Sequence, residues 1–217
     1  MNNLTKRVLT SIVLILLLIL GILNDLIWLF LLIIISLVLL IEFKNLVNKI
    51  WKSNFVKKNL INFLFILYLI SFVYLLNSTN KNYVLIILSV CIFSDIGGYI
   101  CGKLIGGKKL TKLSPNKTIS GSIGSFIFSL FPITYLIYYY EYVLNNEFDY
   151  LKICVLFFLI SLICQLGDLF ISYFKRRSNV KDTGEILPGH GGLLDRLDGI
   201  IFAVPFGILM NNILSYL

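Results

Sequence analysis

Charge is scarce in this chain: 14% of its 217 residues are Asp, Glu, Lys or Arg, against 58% that are hydrophobic, with a mean hydropathy of +0.91. A soluble domain carries about 25% charged residues, so the composition excludes an ordinary water-soluble fold. Cysteine is sparse and unpatterned. Cys91, Cys101, Cys154 and Cys164 lie in or beside apolar segments without CxxC spacing, which excludes a disulfide or zinc framework and leaves reduced thiols among helices. Histidine occurs once, at His190. There is no internal repeat, no low-complexity linker and no A-x-A-like cleavage site after the first apolar block, so that block reads as a retained span. The chemistry therefore has to come from a helix bundle and the loops on one of its faces.

Apolar blocks of about 16–24 residues recur with short polar interruptions, the length a helix needs to cross about 30 Å of hydrocarbon. Seven spans are expected, at about 8–23, 26–42, 60–77, 83–105, 119–140, 151–174 and 193–217, some short enough to need local thinning of the bilayer. All should be helical, because hydrocarbon does not tolerate unpaired backbone amides. The expected fold is an all-α polytopic membrane bundle, with N-terminal spans and a basic loop over residues 1–82 and a catalytic membrane domain over 83–217.

The net charge of +8 would point to nucleic acid in a soluble protein. Here its distribution matters more, and no nucleic-acid partner is expected. With a cytoplasmic N-terminus, seventeen of the nineteen Lys and Arg residues fall on the cytoplasmic side, and only Lys81 and Lys152 lie outside. The positive-inside rule then sets the N-terminus in and, with an odd number of spans, the C-terminus out. The basic run from Phe43 to Asn59 reads either as an interfacial helix that buries Leu46, Ile50, Trp51 and Phe55 at the headgroups or as a plain topology signal.

Three polar groups gather toward that face. Asp95 stands inside an apolar helix, which costs a few kcal/mol unless it has a partner such as Lys103 or a purpose. Gly98, Gly102 and Gly106 follow at intervals of four and fit close helix packing. Next, Ser114 and Pro115 mark a turn, and Lys117, Thr118 and Ser120 follow at a helix start suited to phosphate. The densest group is Ser172 to Asp198, with five cations (Lys175, Arg176, Arg177, Lys181, Arg196), four carboxylates (Asp182, Glu185, Asp195, Asp198) and His190. Gln165, Asp168, Ser172 and Lys175 or Arg176 line one face of the preceding helix. Pro188, Gly189, Gly191 and Gly192 favour an irregular loop around His190, whose roles range from a loop hydrogen bond to phosphate contact or proton transfer. Asp195 and Asp198, three residues apart, repel unless a cation sits between them. Mg²⁺ is the natural candidate, and a salt-bridge network with Arg196 and nearby lysines is the alternative.

Taken together, Ser172, Lys175-Arg176, Lys181-Asp182, Pro188-x-His190-Gly191-Gly192 and Asp195-Arg196-x-Asp198 resemble the C-terminal pattern of the phosphatidate cytidylyltransferase (CDP-diacylglycerol synthase) family. Ser94-Asp95 with Gly98-Tyr99 and Gly102, Ser114-Pro115-Asn116-Lys117-Thr118, and Gln165 with Gly167-Asp168 look like its other blocks, so the resemblance covers roughly residues 91–198. One departure stands out: the family's usual Lys-Thr-Trp-Glu-Gly is here Lys117-Thr118-Ile119-Ser120-Gly121, without the carboxylate.

The resemblance implies that the phosphate of phosphatidic acid attacks the α-phosphorus of CTP and expels pyrophosphate. Because the nucleophile arrives with the substrate, the protein need only position groups and neutralise charge. It further implies Mg²⁺ held by Asp195 and Asp198, with Asp168, Asp95 and Asp182 as further ligands. The triphosphate would meet Lys175, Arg176, Lys181 and Arg196, assisted by Lys117 and Thr118, with Ser172, Gly191, Gly192 and His190 about the site. A second, monovalent cation such as K⁺ and a homodimer also follow from the resemblance, while the skew of Lys and Arg sets the site on the cytoplasmic face of the inner membrane. Rival readings are a transporter, in which Asp95 and Asp168 would mark an ion path, and a CTP-dependent lipid kinase. A CDP-alcohol phosphotransferase is disfavoured, since no acidic residue follows Asp198-Gly199.

Overall fold

The computed structural model describes residues 3–111, 113–137, 150–189 and 191–214. Among them the regular structure is helical: α1 (Asn3–Leu23), α2 (Asp25–Ile50), α3 (Phe55–Ser78), α4 (Lys81–Leu104), α5 (Ile119–Phe128), α6 (Ile133–Ile137), α7 (Tyr150–Arg177), α8 (Leu194–Leu197) and α9 (Ile200–Leu214). Two isolated antiparallel bridges join Lys109 to Thr118 and Leu187 to Gly191. Five segments are long and apolar enough to cross a membrane: Asp25–Ile50, Phe55–Ser78, Lys81–Leu104, Ile119–Leu136 and Tyr150–Arg177. The chain is thus a multi-pass, all-helical membrane protein. Arg7–Leu23 and Ile200–Met210 are apolar but shorter.

Three departures from the sequence reading have local causes. The helix expected from residue 119 stops at Phe128 and turns through Leu130 and Phe131, whose amides reach back only three residues, to Ile127 and Phe128. Pro132, which has no N–H to donate, follows at once. The expected last helix is interrupted at Asp198-Gly199, and α9 runs over Ile200–Leu214 among the described residues. No separate interfacial helix forms from Phe43 to Asn59. Instead α2 continues to Ile50, and α3 starts at Phe55 after the Asn54 side chain caps the Lys57 amide at 3.0 Å. Phe43, Leu46 and Val47 are buried against neighbouring helices, while Phe55 is exposed. The lysines between them had masked a buried stripe.

The helices sort into two compact units, residues 1–81 with 171–198 and residues 82–170 with 199–217. In the first, α2 packs against α1 and α3 and touches α8. Its core holds Trp28, Leu32, Leu39, Phe65, Leu69, Ile171 and Leu194, and Phe43 stacks on Phe65 with ring centroids 4.0 Å apart. Lys81 closes this unit: its Nζ lies 2.6 Å from Asp25 and donates to the carbonyls of Gly21 and Ile22, at 2.9 and 3.0 Å, at the end of α1. One of the two lysines assigned to the outer face therefore has a structural partner set.

In the second unit the glycines of α4 and α5 face each other. A Cβ on Gly97 would lie 2.5 Å from the Gly124 carbonyl, and one on Gly121 2.8 Å from the Gly98 carbonyl. Backbone meets backbone there, as small-residue interfaces in membranes allow. Gly199 plays the same part between α9 and α7, since a Cβ would stand 2.6 Å from the Cys164 carbonyl oxygen.

Candidate functional site

The first unit carries a polar loop anchored at its two ends by buried carboxylates. Among the described residues of 183–193, several backbone N–H groups lie outside helix and sheet, and side chains satisfy them. Asp195 does part of this. Its Oδ1 accepts from Lys175 Nζ at 2.9 Å, and its Oδ2 accepts from the amides of Thr183 and Gly192 at 2.8 and 3.1 Å. The side chains of Lys175 and Asp195 are only 15% and 8% exposed, so the pair is largely shielded from water. Glu42, 2% exposed in α2, does the rest. Its Oε1 accepts from the Leu193 amide at 3.0 Å, and its Oε2 from the Leu194 amide and the Thr183 hydroxyl, both at 2.8 Å. The Thr183 Oγ1 also lies 3.1 Å from Asp195 Oδ2, so one hydroxyl links two carboxylates.

Two glycines are dictated by this arrangement. Gly191 has φ +84°, a left-handed conformation that a side chain disfavours. Gly192 leaves room for the carboxylate: a Cβ there would lie 2.6 Å from Glu42 Oε2 and 2.8 Å from the Gly184 amide. At the other end of the loop, Arg7 Nε donates to the Gly189 carbonyl at 2.8 Å. Arg176, Lys181, Asp182 and Arg196 are exposed, Ser172 is buried and Asp198 is half-buried at the end of α8. His190 lies outside the described residues.

The second unit carries a polar cavity of about 340 Å³, lined among others by Asp95, Lys117, Thr118, Ser122, Gln165 and Asp168. α4 supplies Asp95, the turn before α5 supplies Lys117, and α7 supplies Asp168. Lys117 forms an ion pair with Asp168, whereas Lys103, the partner expected for Asp95, points its Nζ at the Tyr99 hydroxyl, 3.4 Å away. Thr118 is the N-cap of α5, accepting from the Gly121 amide at 3.1 Å. Ser120, at the position of the departed carboxylate, hydrogen-bonds the Gly106 carbonyl and so closes the loop after α4. A ladder of polar side chains runs on from the cavity wall: Ser122 Oγ to Gln165 Oε1 at 2.5 Å, Gln165 Nε2 to Ser161 Oγ at 3.4 Å, and the Ser161 and Ser94 hydroxyls 2.8 Å apart.

The structure thus groups Lys175 with Asp195, and Asp95 with Lys117, Thr118 and Asp168. Among the described residues, no three His, Cys, Asp or Glu side chains gather as a ready-made metal cage. Glu42, Thr183 and Arg7 were not singled out from sequence. Glu42 did carry a signal, as the only acidic residue between positions 26 and 80, but its place at the end of an apolar block made it look like a boundary residue.

The model of the Cytidylyltransferase family matches residues 8–214. Similar proteins include the phosphatidate cytidylyltransferase of Staphylococcus haemolyticus, 42% identical over 142 residues that make up 65% of this chain and 52% of the relative. That of Rickettsia bellii is 42% identical over 155 residues, 66% of this chain and 64% of the relative. That of Staphylococcus aureus is 40% identical over 144 residues, 66% of this chain and 53% of the relative. The chain spans from about half to under two thirds of the length of these relatives.

Proposed function

From a chain that belongs to the Cytidylyltransferase family, we propose a phosphatidate cytidylyltransferase: CTP and phosphatidic acid give CDP-diacylglycerol and pyrophosphate. A phosphate oxygen of the lipid bonds to the α-phosphorus of CTP as the bond to the β-phosphate oxygen breaks, and the electron pair leaves with pyrophosphate. Such a transfer asks the protein for charge and position and for no nucleophile of its own. The observation that carries the reading is the polar cavity in which Asp95, Asp168 and Lys117 meet within an otherwise apolar unit.

Mg²⁺ suits this donor set. It is a hard ion commonly held by one or two carboxylates together with substrate phosphates, and Asp95 and Asp168 border one cavity with hydroxyl groups beside them. When bound, it would offset charge on the transferring phosphate. Asp195 also serves the loop, since its Oδ2 accepts from the Thr183 and Gly192 amides while its Oδ1 faces the Lys175 ammonium. We assign cation binding to Asp95 and Asp168 in the second unit and, as the motif implies, to Asp195 and Asp198 in the first, with Asp195 building the loop as well. Arg176, Lys181 and Arg196, all exposed, suit the triphosphate. A monovalent second cation and a homodimer rest on the resemblance alone.

The same reading sets the N-terminus and the basic loops in the cytoplasm of a bacterial inner membrane, counts α1 and α9 as the remaining two spans and sends the C-terminus outside. The skew of Lys and Arg supports it, as does the local role of Lys81. Purified protein with CTP, phosphatidic acid and Mg²⁺ should release pyrophosphate and form CDP-diacylglycerol in equal amounts; absence of the lipid product overturns the function.

A further inference from the structure

We propose that Glu42 is a positioning residue of the candidate site: from an N-terminal helix it sets the conformation of the 183–194 loop that holds Lys175 and Asp195 in register. This deepens the cytidylyltransferase reading and rests on it for the effect on activity. The effect on the loop itself does not depend on that reading.

The geometry is specific. A carboxylate is an acceptor only, and all three groups that Glu42 meets are donors: the Leu193 and Leu194 amides and the Thr183 hydroxyl. Leu193, the N-cap of α8, has no side-chain cap of its own, so Glu42 replaces it from more than a hundred residues away in sequence. Asp195 takes the adjoining donors, the Thr183 and Gly192 amides, and Thr183 Oγ1 lies between the two carboxylates. Two like charges meeting at one hydroxyl are tolerable because four backbone amides and Lys175 surround them. Gly184 and Gly192 give independent support. A Cβ at Gly184 would stand 2.8 Å from Glu42 Oε1, and one at Gly192 2.6 Å from Oε2, so the loop closes directly onto this side chain.

A purely packing role would be met by any side chain of that size. A positioning role requires acceptors at both oxygens, and Glu42→Gln exchanges one of them for a donor that faces an N–H or O–H. In the full chain, reconstituted in lipid nanodiscs, Glu42→Gln should speed hydrogen exchange of peptides within 183–194 at least several-fold while peptides of α4 stay unchanged. It should also lower the rate of CMP transfer about 10–100-fold, as loss of an outer supporting partner does at comparable sites. Thr183→Val should likewise speed exchange and lower the rate, to a smaller extent, and Thr183→Ser should restore both, whereas Glu185→Gln, an exposed carboxylate of the same loop, should change neither. Unchanged exchange in Glu42→Gln overturns the proposal, as does a Thr183→Ser variant no better than Thr183→Val. If wild-type protein makes no CDP-diacylglycerol, the functional reading fails and the exchange arm alone decides the role of Glu42. If Glu42→Gln does not fold, the Thr183 pair decides it.

Discussion

Replacing Asp195 by Asn tests whether this carboxylate builds the loop. The amide keeps one oxygen and offers it two placements. With the oxygen on the loop side, the two amides and the Thr183 hydroxyl keep their acceptor, but the NH₂ then faces the Lys175 ammonium and leaves that charge unpaired. With the group turned over, Lys175 is served and the amides of Thr183 and Gly192 are orphaned. Either way a shielded pair is broken, which costs about 3–5 kcal/mol. At about 2–4 °C per kcal/mol for a domain of this size, Tm should fall by about 6–20 °C. Lys175→Met should cost less, about 1–3 kcal/mol, because the remaining carboxylate still accepts from the Thr183 and Gly192 amides. Trp28 and Trp51 both belong to the first unit, so intrinsic fluorescence during heating reports on this region. A Tm for Asp195→Asn equal to that of the parent, or a larger drop for Lys175→Met, would refute the loop-building role.

Further outcomes follow from the second unit. Lys117→Met removes the cation beside Asp168 and Asp95 and should slow CMP transfer about 10²–10³-fold, the loss typical of one electrostatic contact at a reacting centre, in initial rates at saturating CTP. Thr118→Val should cost about 1 kcal/mol through the lost N-cap of α5 while Thr118→Ser keeps it, read as the difference in Tm between the two variants. Gly124→Val should abolish most folded protein in size-exclusion profiles, since even a Cβ would stand 2.7 Å from the Gly97 carbonyl and overlap Cys101. Gly106→Ala, with nothing within 4 Å but φ +65°, should cost only about 1 kcal/mol.

The membrane class and the polar groups of the chain were legible because they depend on composition and spacing. Apolar blocks of spanning length make helices wherever they lie, and the motif from Ser172 to Asp198 is dense enough to read as a pattern. The glycine interval of four marked Gly98 and Gly102, which do meet α5 at Gly121, but Gly106 lies beyond the end of α4, where a Cβ would meet nothing within 4 Å, while Gly97, outside the interval, makes the tightest contact of the α4 glycines. What spacing cannot give is the partner of each group. Lys175 pairs with Asp195, Thr118 caps α5 and Ser120 bonds the Gly106 carbonyl, and none of these partners can be read from spacing. Glu42 lies 141 residues from Thr183, a separation that no local pattern carries. The end of α2 was misread for a related reason: Lys44, Lys49 and Lys52 announce a surface, yet Phe43, Leu46 and Val47 between them bury a face.

The central claim is a transfer at the α-phosphorus of CTP. The most direct measurement gives the purified protein phosphatidic acid vesicles, Mg²⁺ and CTP labelled separately at the α- and γ-phosphorus. The account predicts α-label in the lipid and γ-label in pyrophosphate. The γ-label in the lipid with CDP released would mark a kinase, and no label in the lipid from either CTP would contradict the account outright.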